Sequence, residues 1–287
     1  MHFIIHDASS GRDIAPLLSE FPDAEVMPAV IDKARPARGC LLSHQACIRK
    51  AKEARSPWVH VIEDDCKLTA AWNRGEWDDL VEYLLMADAH ILNGGVLRLA
   101  APGELLNGEL NTSAPEVEIE GPGGTARAVR GGQFWSTHFI VYKANAYDRL
   151  LSACWGQGVY ATPIDLLPGA LKLHTLVAVP FVATQHAGVS AVARAKVNYD
   201  KEFATHEAYL SRLGEFAHYD DYLSSLLGPI DHTPFCGARL EKERKKGVVV
   251  KHPIQVCVSG IVIDIPKGRV AVPKSIVRLL QDASVVD

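Results

Sequence analysis

The sequence predicts an α/β fold in residues 1–200, followed by a small helical and β-hairpin extension in residues 201–287. Strand-like and helix-like segments alternate through the first two thirds of the chain, which is the pattern of an α/β sheet. One apolar strand, at residues 58–62, runs directly into the acidic triplet Glu63-Asp64-Asp65. After about residue 200 a polar helix and short alternating segments replace this pattern, so we place the boundary there.

The elements of the first region follow from hydrophobic periodicity and from the positions of Gly and Pro. The clearest is a helix at 39–54, on which Leu41, Ile48 and Ala51 share one apolar face. In chain order the predicted elements are a strand at 3–6, a helix at 13–20, a strand at 26–31, the helix at 39–54, a strand at 58–62, a helix at 77–86, a strand at 90–92, a long loop or irregular hairpin at 102–132, a strand at 139–142, a helix at 144–154 and a strand at 176–183.

The extension combines three predicted elements with one basic segment. We expect a helix at 202–217, a hairpin that pairs 256–265 with 270–272 around Pro266-Lys267-Gly268, and a short helix at 275–280. Residues 239–251 carry six basic and two acidic side chains. Such a run is usually a solvated surface, but it also makes these residues the candidate contact with nucleic acid.

Composition restricts the classes of partner. The 287-residue chain has a net charge of -4, so no global field draws it to nucleic acid or to a membrane. No run approaches the roughly 18 apolar residues of a membrane span, and the N-terminus lacks the pattern of a signal peptide. The six cysteines occur without a C-x-x-C pair, which indicates reduced thiols. We therefore expect a soluble, cytoplasmic protein.

The acidic triplet is the strongest chemical signal. Ligands of open α/β sheets bind beyond the carboxyl ends of strands, where this triplet is expected. Three adjacent carboxylates repel one another unless a cation shares them. Alternation along an extended chain places Glu63 and Asp65 on one side, where they could bind Mn²⁺ or Mg²⁺. The alternative is an acidic turn exposed to water.

Three ordered motifs resemble those of glycosyltransferase family 25, the lipooligosaccharide and collagen galactosyl- and glucosyltransferases. The first is Gly39-Cys40-Leu41-Leu42-Ser43-His44, followed by a helix, an apolar strand and Glu63-Asp64-Asp65. The second runs from Thr137 to Tyr142 and continues to Pro163-Ile164-Asp165. The third comprises Pro180, Gln185-His186 and Ser190, and the three together span roughly residues 1–195.

This resemblance implies a GT-A type nucleotide-sugar-binding fold, with a mixed, mostly parallel sheet. It implies transfer of a hexose from a nucleotide diphosphate sugar, with a UDP-sugar as the expected donor, to a glycan or other hydroxyl acceptor with inversion. Asp65 stands where the family binds the metal that bridges the two phosphates. Glu63 or Asp64 would contact the ribose or the metal, and His186 is the candidate third metal contact. The family's Arg-rich turn is replaced here by His6-Asp7 and a single Arg12.

The remaining candidate residues each have an alternative interpretation. Asp165 could take the proton from the acceptor hydroxyl, or it could cap a helix. Ser43 and His44 could contact the donor or acceptor, or they could serve packing and capping. His138, inside a strand, is expected to be a core or acceptor-cleft histidine. His186 could be an ordinary surface histidine.

Two rival functions use the same residues. A metal-dependent phosphoesterase or nuclease would use the carboxylates with two metal ions, but the sequence offers no second acidic cluster of that kind. A DNA-modifying glycosyltransferase of viral type would use the basic segment to bring a hydroxylated base to the same donor site. The Gly-rich residues 102–132 could close over the donor or form a plain surface excursion.

Overall fold

The computed structural model describes most of residues 1–213 and four strands of the C-terminal region. The described residues are 1–99, 105–106, 109–110, 115–121, 126–131, 134–153, 163–190, 195–213, 245–250, 254–258, 261–265 and 268–273. The helices are α1 (Ala15–Glu20), α2 (Pro36–Glu53), α3 (Arg74–Met86), α4 (Tyr147–Ser152), α5 (Leu167–Ala170) and α6 (Asp200–Leu210), with a 3₁₀ turn at Ala144–Ala146.

Twenty strands complete the described structure. They are β1 (His2–His6), β2 (Glu25–Pro28), β3 (Trp58–Glu63), β4 (Cys66–Leu68), β5 (Ile91–Asn93), β6 (Arg98–Leu99), β7 (Leu105–Leu106), β8 (Glu109–Leu110), β9 (Glu116–Glu120), β10 (Ala126–Gly131), β11 (Phe134–Trp135), β12 (Phe139–Lys143), β13 (Thr175–Ala178), β14 (Ala183–Gln185), β15 (Gly188–Ser190), β16 (Ala195–Val197), β17 (Lys245–Val250), β18 (Ile254–Val258), β19 (Ile261–Ile265) and β20 (Gly268–Pro273).

Eight strands form one mixed sheet in the order β2-β1-β3-β12-β5-β13-β10-β9. The pairs β1–β2, β1–β3 and β5–β13 are parallel. Strand β12 runs antiparallel to both of its neighbours, β3 and β5, and β10 runs antiparallel to β13 and β9. The predicted α/β class is therefore confirmed.

Helices α2 and α3 cover opposite faces of this sheet. Because side chains alternate along a strand, Ile4, Ile62 and Phe139 point to the face where α3 buries Trp77. The other face of β3 buries Val59 and Val61, and α2 packs against β3 through its buried positions Leu41, Ile48 and Ala51. Burial of these apolar side chains, at about 25 cal/mol per Å², is the main force that fixes both helices.

The chain divides into two compact units. The first comprises Met1–Ala100, Ser113–Ala153 and Pro163–Ala217, and it contains the large sheet. Helix α6 belongs to this unit, where Phe203, Tyr209 and Leu210 are buried. The second comprises Ala101–Thr112, Cys154–Thr162 and His218–Asp287. The boundary drawn at residue 200 stays a prediction of the sequence.

The strand pairing tests two local predictions. Strands β9 and β10 form an irregular hairpin that joins the edge of the large sheet, which confirms the hairpin alternative for this part of residues 102–132. The predicted hairpin of 256–265 with 270–272 is wrong, because β18 pairs with β19 and β20 pairs with β17. The dipeptide Ser259-Gly260 is a two-residue turn sequence between β18 and β19, which favours pairing of these two strands. Strand β20 then pairs with β17.

Part of the sequence prediction falls outside the described residues. The short helix at 275–280 lies there, as do residues 239–244 and 251 of the basic segment, while Lys245–Val250 forms β17. Within the described part of the chain, none of the helices combines the length and apolar character that a membrane crossing requires.

Candidate functional site

The acidic triplet lies at the edge of the large sheet where β1 and β3 end side by side. Ile5 of β1 pairs with Glu63 of β3, so the turns that follow the two strands are adjacent. The chain passes from β1 to β2 on one side and reaches β3 on the other side through α2. In open α/β sheets, the crevice at such a reversal of strand order is the usual place for a ligand.

The carboxylate of Glu63 is turned towards α2. It continues the alternation of Val59 and Val61, which places it on the α2 face of the sheet. Its Oε1 atom lies 3.1 Å from Nε2 of His44 and accepts a hydrogen bond from Thr137 Oγ1 at 2.7 Å. Burial alone would raise the pKa of Glu63, but the hydrogen bonds from His44 and Thr137 outweigh it and lower the pKa to about 2.

Asp64 organises the turn that follows β1. Its Oδ2 atom accepts hydrogen bonds from the backbone N–H of Asp7 at 2.9 Å and from Ser10 Oγ at 3.3 Å, and it lies 3.1 Å from His6 Nδ1. Its Oδ1 atom accepts from Arg12 Nη1 at 2.5 Å. Both oxygens of this buried carboxylate are therefore bound within the chain, so the geometry assigns Asp64 to holding the turn that carries Arg12.

Asp65 differs from its neighbours because one of its oxygens is buried without a partner. Its Oδ1 atom makes no hydrogen bond to any described residue, while Oδ2 lies 3.7 Å from Arg12 Nη2. Burial, and then the negative charge of Glu63, raise the pKa of Asp65 to about 7. A carboxylate in this situation gains most from an added cation, so Asp65 fits the role of ligand to a hard divalent ion.

The expectation that Glu63 and Asp65 face one side and share a cation stays a prediction. Strand β3 ends at Glu63, and Asp64 and Asp65 form the turn to β4, where the alternation of a strand no longer applies. The pair that shares a cationic partner is Asp64 and Asp65, through Arg12. Glu63 is bound by His44 instead.

His186 is brought next to the triplet by strand pairing. Strand β14 runs antiparallel to β4 with Gln185 opposite Cys66. The backbone N–H of His186 then donates to the backbone carbonyl oxygen of Asp65 at 2.7 Å. Its side chain is exposed. His186 therefore lies beside Asp65, and its role as a metal contact stays a prediction.

Asp165 is a partly buried carboxylate near Glu63. Burial raises its pKa to about 6, and the charge of Glu63 adds to the rise. Its Oδ1 atom is buried and has no hydrogen-bond partner among the described residues. Helix α5 begins after Leu166 without a side-chain capping bond, so Asp165 does not occupy the N-cap position. The general-base role stays open to test.

Ser43 and His138 are held inside the fold. The Ser43 hydroxyl accepts from the backbone N–H of Val30 at 2.8 Å and donates to the carbonyl oxygen of Gly39 at 2.9 Å. These bonds match the packing alternative given for Ser43. His138 is fully buried, its Nδ1 atom contacts Ser136 Oγ, and burial lowers its pKa to about 4. It is a core histidine.

Cys40, Thr137 and Tyr142 join the site without having been assigned a role from the sequence. Thr137 lies two residues before the antiparallel β12, which begins at the edge where β3 ends, and Tyr142 Oη lies 3.0 Å from Nδ1 of His44. Cys40 precedes His44 by four residues on α2, and its Sγ atom lies 3.9 Å from Glu63 Oε1. That i, i+4 spacing was the available signal, because it places both side chains on one face of a helix.

Three solved structures show distant similarity to this chain. No protein-family model and no curated protein matches the sequence. The chain is similar to A197 from STIV, with a TM-score of 0.41 and 11% identity over 68% of this chain and 91% of that one. It is also similar to a UDP-glucose pyrophosphorylase in its apo form, with a TM-score of 0.31 and 7% identity over 69% of this chain and 71% of that one. A third similar structure is a mannose-1-phosphate geranyltransferase from Thermus thermophilus, with a TM-score of 0.29 and 9% identity over 61% of this chain and 58% of that one. At these TM-scores none of the similarities assigns a function to this chain.

Proposed function

We propose that the protein is a metal-dependent glycosyltransferase that moves a hexose from a nucleotide diphosphate sugar, with a UDP-sugar as the expected donor, to a hydroxyl acceptor such as a glycan. The observation that carries this proposal is the unpartnered, buried oxygen of Asp65 beside Arg12, in the crevice where β1 and β3 end. A diphosphate is recognised both by a hard divalent ion and by a guanidinium group. The motifs that resemble glycosyltransferase family 25 support the same assignment.

Different residues of the chain would bind the metal ion and the diphosphate of the donor. Asp65 would hold Mn²⁺ or Mg²⁺, with His186 as the proposed additional contact. The bound ion would neutralise negative charge on the departing nucleotide diphosphate. Asp64 fixes the turn that carries Arg12, and the guanidinium adds positive charge at the same edge. Glu63 is bound to His44 and Thr137, so it would hold the end of β3 in place and would not itself contact the nucleotide sugar.

Asp165 is the proposed general base. A base is most effective when its pKa lies near the working pH, and the pKa of Asp165 is raised to about 6. In the proposed step, the acceptor hydroxyl gives its proton to Asp165 as its oxygen attacks the anomeric carbon. The bond from that carbon to the diphosphate oxygen breaks on the opposite face. The new glycosidic linkage therefore has the inverted configuration.

The test is a screen of nucleotide sugars and nucleotide diphosphates against the full chain by thermal unfolding, with and without Mn²⁺. A donor that binds the folded state raises the melting temperature, by about 2.7 kcal/mol of stability at 100 times its dissociation constant. We expect the rise to need both the metal and the donor, to vanish in Asp65→Asn, and to persist in Asp78→Asn, an exposed carboxylate on α3. No metal-dependent rise with any nucleotide would contradict the proposal. Release of free phosphate without sugar transfer would favour the phosphoesterase.

A further inference from the structure

A second group of metal-binding side chains lies between α2 and the end of β3. Cys40 Sγ, a nitrogen of His44 and an oxygen of Glu63 all lie within 4.8 Å of one another. Cys40 and His44 are one helical turn apart on the same face of α2, and the strand alternation of β3 turns Glu63 towards them. We name these three residues the α2–β3 cluster.

The spacing of the three atoms suits one small transition-metal ion. Tetrahedral Zn²⁺ has bonds of about 2.0–2.3 Å, so its ligand atoms are separated by roughly 3.3–3.7 Å. In the cluster, His44 Nε2 lies 3.1 Å and Cys40 Sγ 3.9 Å from Glu63 Oε1. Both separations from Glu63 Oε1 are within a few tenths of an ångström of ligand distances, and Cys40 Sγ lies no more than 4.8 Å from the His44 nitrogen.

Two neighbours of the cluster strengthen the case for a ligand. The Oδ1 atom of Asp165 is buried with no partner among the described residues, and this carboxylate is near enough to influence the Cys40 thiol. On the other side of the His44 ring, Tyr142 Oη lies 3.0 Å from Nδ1. Histidine ligands in proteins are normally oriented by such a bond from the second ring nitrogen.

We propose that Cys40, His44 and Glu63 bind a borderline transition-metal ion of the Zn²⁺ class as its three protein ligands, with the fourth tetrahedral position left to solvent. A thiolate, an imidazole and a carboxylate are the ligand set that Zn²⁺ prefers, whereas Mn²⁺ and Mg²⁺ prefer oxygen alone. This site is distinct from the one assigned to Asp65, and it does not rest on the proposed transferase activity.

Metal binding would rearrange the protons of the cluster in a defined way. The Cys40 thiol gives its proton to solvent, and the thiolate with the Glu63 carboxylate balances the two positive charges of the ion. His44 coordinates through Nε2, so the ring proton lies on Nδ1 and is donated to Tyr142 Oη. Thr137 continues to donate to Glu63. The ion would tie the first turns of α2 to the end of β3, next to the acidic triplet.

The experiment is a titration of the full, metal-free chain with Co²⁺ followed by competition with Zn²⁺. We expect one equivalent of Co²⁺ to produce a sulfur-to-cobalt charge-transfer band that Zn²⁺ removes. Cys40→Ser should abolish the band. Cys47→Ser, a buried thiol on the same helix outside the cluster, should retain it. Tyr142→Phe should weaken binding by about 10- to 100-fold, as loss of an orienting partner does.

A second measurement identifies the thiol without any substitution, in case Cys40→Ser does not fold. The unmodified chain is alkylated with iodoacetamide with and without Zn²⁺, and the labelled peptides are mapped by mass spectrometry. Protection of Cys40 by stoichiometric Zn²⁺ supports the site. The proposal is overturned if the chain gives no thiolate band, if the band survives in Cys40→Ser, or if Zn²⁺ leaves Cys40 labelling unchanged.

Discussion

Glu63 and Asp64 are adjacent in the sequence, yet their carboxylates bind opposite parts of the protein. Glu63 accepts from Thr137 and faces His44 on α2, whereas Asp64 accepts from Arg12 and from the turn after β1. Among the described residues, Asp65 has only the more distant Arg12 Nη2, at 3.7 Å from Oδ2, so the three carboxylates of the acidic triplet differ in their partners. Substitution of each residue should produce a different defect.

Replacement of Asp64 by Ala should destabilise the fold more than it affects chemistry. It leaves Arg12 without its 2.5 Å partner and removes the acceptor of the Asp7 N–H. Because the Arg12 side chain is 29% exposed, the loss is that of hydrogen bonds to a charged group, about 1.5–3 kcal/mol. Urea unfolding measures this change. Ser10→Ala, which removes only the 3.3 Å bond, is the matched control and should cost less than about 1 kcal/mol. Equal losses in the two variants would contradict the anchoring role of Asp64.

Asp65→Asn should retain the fold and lose turnover. The side chain keeps its shape, but it can no longer bind a divalent ion as an anion. We expect activity to fall by about three orders of magnitude, which corresponds to several kcal/mol of transition-state stabilisation. Steady-state transfer in Mn²⁺ measures this, with circular dichroism as the check on folding. Full activity of the unmodified enzyme in excess chelator would remove the metal from the mechanism.

Asp165→Asn should lower kcat by about 10²- to 10⁴-fold and leave donor affinity nearly unchanged. In the unmodified enzyme, kcat should rise with pH through the raised pKa of Asp165, about 6, because only the ionised carboxylate accepts a proton. The variant should lose this part of the pH profile. NMR of the anomeric proton of the product should show inversion, and a retained linkage would mean that no such base is needed.

Acid should destabilise the protein through its buried histidines. His60 is fully buried, and burial together with the charge of His2 holds its pKa well below the usual value; the pKa of His2 is lowered to about 4 by burial. Between about pH 6.5 and 4 the unfolded chain therefore binds protons that the folded chain excludes. Stability is present above pH 6.5 and falls as the pH drops, by up to about 1.4 kcal/mol per pH unit for each histidine.

His60→Phe isolates this contribution. The aromatic ring preserves packing against Phe139 and Trp77, but it takes up no proton. We expect a flatter dependence of the free energy of unfolding on pH between about 7 and 4, measured by urea unfolding at each pH. An unchanged slope in His60→Phe would assign the acid sensitivity to other groups.

Much of the sheet could be predicted because its signals are local. Strands β1 and β3, and helices α2 and α3, each have an apolar periodicity and end near a Pro or an acidic turn, and their predicted positions agree with the structure within a few residues. Strand β9 is harder to predict because its sequence, Glu-Val-Glu-Ile-Glu, is that of a mostly exposed edge strand between Gly- and Pro-rich segments. The pairing of β17 with β20 depends on a contact between distant residues, which no local pattern encodes.

The site was predicted less completely, for a geometric reason. The sequence showed that Glu63, Asp64 and Asp65 follow a buried strand, but the direction of each side chain depends on where β3 ends. The contact of His44 with Glu63 depends on how α2 is rotated over the sheet. Strand β12 runs in the reverse direction to β3, so Thr137, two residues before it, reaches this edge ahead of the start of β12 and not after its end.

The reversed direction of β12 also determines when the large sheet can be completed during synthesis of the chain. Strands β3 and β5 are both complete once residue 93 has been made, but they are not neighbours in the sheet. The strand that joins them, β12, is not complete until Lys143. Until residue 143 has been made, the nascent chain therefore has two unpaired strand edges, one on β3 and one on β5. Long-range strand pairing of this kind is slow and exposes aggregation-prone surface. Co-translational protection of this interval, by a chaperone or by slow translation after β5, would benefit this chain more than one whose strands pair in order.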